Sequence, residues 1–83
     1  MDQPKVFYVL ELQTYGDGTG SVIPQSYDNL RAAESKFYLI LSAAAISNVY
    51  RHGAVLLTEE GFTLKQEVFT HLLEEPAEQS EEE

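Results

Sequence analysis

"VFYVLELQ", Val6 to Gln13, decides how the rest of the chain must be arranged. Its β-branched and aromatic residues make it a strand. Val6 and Tyr8 point to one side and Phe7 and Val9 to the other, so its first half is apolar on both faces. Only its end alternates, Leu10 and Leu12 against Glu11 and Gln13. A strand apolar on both sides requires cover on both sides.

Working outward, "YGDGTG" leads into "SVIPQ", a second β-like segment. Pro24 has no N–H to give to a ladder, so this strand is expected to be short and at an edge, or to stop there. In "SYDNLRAAESKFYLILSAAAIS" apolar residues recur at three- and four-residue steps, through Leu30, Ala33, Phe37, Ile40 or Leu41, and Ala44. That spacing predicts an amphipathic helix, capped by Asp28 or Ser26 and closed by Asn48, with Gly53 as breaker. "AVLLT" reads as a third strand and "FTLKQEVFTHL" as a fourth. Glu59-Glu60-Gly61 is the hairpin turn between them, with Gly61 at positive φ.

The order β-β-α-β-β predicts an α+β fold: a four-stranded antiparallel sheet of two hairpins with one helix packed on one face. One small domain over residues 1–73 is expected, followed by a disordered acidic tail over 74–83. The sequence leaves open which parity of each strand meets the helix. The set assigned to the core is Tyr8, Leu10, Leu12, Val22, Leu30, Ala33, Phe37, Leu41, Ala44, Val55, Leu57, Leu64 and Val68. Phe7, Val9, Leu56 and Phe69 are assigned to the far face.

Fourteen acidic residues against five basic ones give a net charge of −9, and six of the acids lie in the last ten positions. An anionic chain with scattered lysines and arginines repels a phosphate backbone, so no nucleic-acid partner is expected. An anionic membrane surface is disfavoured in the same way. Phe37 to Ile46 is too short an apolar run to span a bilayer, and the start lacks the pattern of a signal peptide. The chain has no cysteine, which excludes a disulfide framework and a thiolate zinc site.

The glycine-rich stretch "TYGDGTGS" raises the question of a phosphate cradle. Such a cradle opens directly onto a helix, whereas Gly20 runs into a strand-like segment, and Asp17 would repel the anion. The spacing matches neither a dinucleotide fingerprint nor a calcium loop. Asp17-Gly18 is read as a turn. His52 and His71 lack a metal-ligand spacing and are expected to be exposed. The serines have no nucleophile-elbow context. No catalytic residue, cofactor or metal is assigned, and no small-molecule ligand is expected.

Nine aromatic residues exceed what a thin core of this size must hold. Half-exposed tyrosine suits protein interfaces, because it buries area and keeps a polar tip. Phe7, Val9, Tyr15, Tyr27, Tyr38, Tyr50 and Phe69 are therefore the expected contact residues. The alternative for the tyrosines is that they are rim residues keeping their hydroxyls in water.

"FYVLELQTYGDGTG", "YDNLRAAESKFYLILSAAA" and "VLLTEEG" together resemble a group of small uncharacterised proteins encoded among the structural genes of phages and prophages of Gram-positive gut bacteria. The matching positions are Tyr8, Val9, Leu10 and Gln13 in the first strand and Asp17-Gly18 in the turn. Tyr27, Asp28, Glu34, Ser35, Phe37 and Tyr38 match around the helix, and Glu59-Glu60-Gly61 in the last hairpin. Tyr38 stands where histidine is often found in that group. The resemblance implies a phage accessory or virion-associated protein, in the bacterial cytoplasm or the virion, with no catalytic residues to carry over.

The expected function is non-enzymatic protein–protein contact, including self-association, since one helix shields only one sheet face. The alternative is an acidic inhibitor that presents carboxylates to a host nucleic-acid-binding protein in place of phosphates.

Overall fold

A computed structural model describes residues 4–71 of the chain. Its elements are β1 (Phe7–Thr14), β2 (Gly20–Tyr27), α1 (Leu30–Ala45), β3 (Arg51–Thr58) and β4 (Thr63–Thr70). The strands form one sheet in the order β2-β1-β3-β4, antiparallel throughout, with α1 packed on one face. The doubly apolar β1 takes a central position, where both of its faces meet other side chains. The expected acidic tail over 74–83 lies outside the described residues, as do Leu72 and Leu73.

Both glycine turns form as their residues dictate. Gly18 (φ 91°) and Gly61 (φ 95°) occupy the left-handed region that side chains with a Cβ avoid. Asp17 Oδ1 accepts from the Thr19 N–H at 3.0 Å and from the Thr19 hydroxyl at 2.7 Å, which fixes the first turn.

Several boundaries depart from expectation. β2 is eight residues long and continues through Pro24, which its edge position permits. Gly53 lies inside β3 and does not break the chain. A Cβ there would collide with the Glu67 carbonyl oxygen and lie 2.7 Å from Val68 Cα, so the glycine serves the close approach of β4. The helix cap is Asn29, whose Oδ1 accepts from the Ala32 N–H at 2.8 Å. Asp28 supports it by accepting from Asn29 Nδ2 at 3.0 Å. At the other end Ile46, not Asn48, is the C-cap residue.

The core reverses the expected parity. Phe7, Val9, Ala54 and Leu56 pack under Ala33, Phe37 and Ile40 of the helix, and Val9 and Leu56 are the largest fully buried side chains. Burial of a side chain of that size stabilises the fold by about 1.5–3 kcal/mol. Phe7 and Val9 are therefore core residues and are withdrawn as contact residues, and Leu56 likewise does not lie on the far face. Tyr8, Leu10, Leu12, Val55 and Leu57 alternate with them and stand on the side that α1 does not cover.

Candidate interaction surface

The strand register assembles the uncovered face residue by residue. In β1, Tyr8, Leu10 and Leu12 form its middle row; Leu57, Val55 and Gly53 of β3 stand directly opposite them. On the β2 side, Ser26, Pro24 and Val22 oppose the same three β1 residues. Beyond β3, Gln66 and Val68 of β4 pair with Val55 and Gly53. Directly opposed residues share a face, so eight apolar side chains form one continuous layer: Tyr8, Leu10, Leu12, Val22, Pro24, Val55, Leu57 and Val68. Leu10, Leu12, Val55 and Leu57 are half-buried against one another, while Val22 remains 58% and Val68 47% exposed.

The charges complete the picture. The strand carboxylates Glu11 and Glu67 both lie on the helix side, opposite Ala54. On the uncovered face the register places no acidic residue and one cation, Arg51, at the end of β3 beside Thr14 and Thr70. Arg51 leans over the Tyr50 ring, 5.2 Å from its centroid. A hollow of about 390 Å³ lies between Leu12, Thr14, Arg51, Val68 and Thr70, while the place a Gly53 Cβ would take is filled by the close approach of β4. An apolar centre with charge pushed to the rim is the composition of a protein contact surface.

The expected contact residues do not converge on this face. Tyr15 lies just after β1, where its hydroxyl donates to Gln13 Oε1 at 2.6 Å. Tyr27 packs against the core on the helix side and donates to Gln25 Oε1 at 2.7 Å. Tyr38 is on the helix flank, in edge contact with Phe37 and with the Lys65 ammonium 5.7 Å from its ring centroid. The neighbouring Tyr38 hydroxyl holds the Lys65 pKa above its ordinary value. Phe69 is half-buried opposite His52, again on the helix side. Tyr50 alone borders the uncovered face, through Arg51. Seven of the eight residues of the apolar layer, all but Pro24, were assigned by the sequence to the core.

A second polar assembly was missed by sequence reasoning. His52 is not exposed as expected: it lies in β3, 5% exposed, and its Nε2 donates to Glu11 Oε2 at 2.7 Å. Gln13 Nε2 donates to the same carboxylate oxygen at 3.3 Å. His52 Nδ1 is buried and has no hydrogen-bond partner among the described residues. His71 is half-buried, and its Nε2 donates to the Ala44 carbonyl at 2.8 Å, adding to the Ser47 N–H that the same carbonyl accepts at 3.2 Å at the end of α1. The signal for the first group was the alternation of Glu11 and Gln13 with Leu10 and Leu12, which placed both polar residues on one face.

Among the described residues no three histidine, cysteine, aspartate or glutamate side chains cluster as a metal site, and no helix is long and apolar enough to cross a membrane. Comparison with protein-family models, with curated proteins and with solved structures finds no match to this chain.

Proposed function

We propose that this chain is a non-enzymatic, phage- or prophage-derived accessory or virion-associated protein that works by protein–protein contact. The observation that carries the reading is the uncovered sheet face, an apolar layer across all four strands on which the strand register places no carboxylate among the described residues. Water against such a layer is unfavourable, by about 25 cal/mol for each Å² of apolar surface, and a partner relieves it. The phage origin rests on the resemblance of residues 6–70 alone, and places the chain in the host cytoplasm or the virion. The acidic-inhibitor reading has less support: within residues 4–71 seven carboxylates stand against five basic side chains, and most of the charge excess lies beyond them.

The test is capture from a lysate of the induced host and from purified virions, using the full chain and a Leu12→Lys variant. Each retained protein is then purified and titrated against both. Direct binding by the wild type that falls at least about tenfold in the variant supports the reading. Equal binding by both, or a partner held only through carboxylates and released by salt, would overturn it.

A further inference from the structure

We infer that the partner seated on the uncovered face is a second copy of this chain, packed sheet to sheet about a two-fold axis that crosses the strands at the Leu10–Val55 row. This deepens the contact reading above and rests on it.

The charge distribution points to self-pairing. Two identical faces meet only if the surface does not repel itself. On a chain of net charge −9 the strand register places no carboxylate on the uncovered face among the described residues, and the one cation it places there lies at the end of a strand, away from the central row. A basic partner would find no counter-charge there. An apolar, uncharged surface is complementary to its own copy.

The dimensions agree. Four strands of eight residues, spaced about 4.8 Å apart with about 3.3 Å per residue, present a face of about 19 by 26 Å. Two such faces bury about 1,000 Å² in all, the lower bound for a specific interface. The expected dimer is therefore concentration-dependent and not obligate.

The relief also matches. Gly53 and Leu57 lie two residues to either side of Val55 on β3. A two-fold axis through the Val55 row places Leu57 of one copy over Gly53 of the other, a position from which no side chain rises and which adjoins the hollow lined by Leu12, Thr14, Arg51, Val68 and Thr70. Sheets stacked in this way lie about 10 Å apart, a spacing that lets the facing side chains interdigitate.

The sign of the salt effect separates this dimer from a charge-held complex. Two copies at −9 each repel through solvent, and the contact contains no ion pair for salt to weaken. Added salt strengthens the dimer and loosens any complex with a basic protein.

The test is light scattering and sedimentation equilibrium of the full chain over a concentration series at low and high salt, with Leu10→Lys, Val55→Lys and, on the outer side of α1, Leu39→Lys as control. The wild type should pass from 9.3 kDa to twice that mass across roughly the micromolar to hundred-micromolar range, at lower concentration in high salt. Either face variant should weaken the dimer at least about tenfold while Leu39→Lys does not. Should the lysine variants lose their circular dichroism, Val55→Cys serves instead. In a chain with no native cysteine it should crosslink to itself through a short bismaleimide, and Leu39→Cys should not. A wild type that stays monomeric at millimolar concentration overturns the second copy, as does a dimer unaffected by the face variants. If that monomer still loses a titrated protein partner on Leu12→Lys, the contact reading survives without the dimer; if it loses none, both fall.

Discussion

Glu11 and His52 meet at 2.7 Å across the two central strands, on the helix side of the sheet, although 41 residues separate them in the chain. The carboxylate accepts from Nε2 and also from Gln13 Nε2, so one oxygen gathers two donors in a half-buried setting. Removing one partner leaves the other poorly solvated, which costs more than removing both. We expect Glu11→Leu and His52→Phe each to lower stability by about 1.5–3 kcal/mol, and the double variant by clearly less than the two costs added. Urea denaturation of the four proteins measures this, and simple additivity would show that the contact contributes nothing.

Gly53→Ala tests the close approach of β4. The added methyl collides with the Glu67 carbonyl and crowds Val68 Cα and Cγ2, and backbone yields far less readily than the end of a flexible side chain. A loss of about 1–3 kcal/mol is expected. Amide exchange should show the loosening concentrated in β4, and unchanged exchange there would contradict it.

The residues that could be read from the sequence alone are those whose chemistry acts locally. Gly18 and Gly61 announce their turns because only glycine takes positive φ without strain. Alanines and apolar residues at helical spacing announce α1. The face covered by α1 was not legible, since Phe7 and Val9 on one side and Tyr8 and Leu10 on the other are equally apolar. The choice falls to the crossover from β2 through α1 to β3, two parallel strands either side of β1, whose handedness is fixed by strand twist and not by hydrophobic count. His52 escaped for a related reason. Its neighbours Gln13 and Phe69 come from two other strands, and only their register brings them together.

Asn29 should prove the sole effective side-chain cap of α1. Its Oδ1 satisfies the Ala32 N–H, and Asp28 merely orients its amide. Asn29→Ala should cost about 1 kcal/mol in thermal or urea unfolding, Asn29→Ser much less. A larger effect from Asp28→Ala than from Asn29→Ala would reverse the assignment.

Gly61→Ala forces a side chain into the left-handed region at the β3–β4 turn, with open space around it. The penalty is backbone strain alone, about 1–2 kcal/mol. Gly61→Asn should recover part of it, because asparagine tolerates that region. Equal melting temperatures for the alanine and asparagine variants would argue against this origin.

Acidification should release the segment that precedes β1. Glu59, in the turn after β3, accepts from the Lys5 N–H at 2.8 Å and the Val6 N–H at 3.0 Å. These backbone donors, the Lys5 N–H first, hold its carboxyl below the ordinary glutamate value. A carboxyl depressed on folding stabilises the native state above its unfolded pKa, and that contribution disappears as pH falls through the folded value. Amide exchange at Lys5 and Val6 should therefore quicken on going from about pH 6 to about pH 3, after correction for intrinsic rates, with the β1 core unchanged. Glu59→Gln keeps an acceptor oxygen but does not titrate, so its exchange at these two amides should be nearly pH-independent. The same acceleration in the variant would place the acid response on another carboxyl.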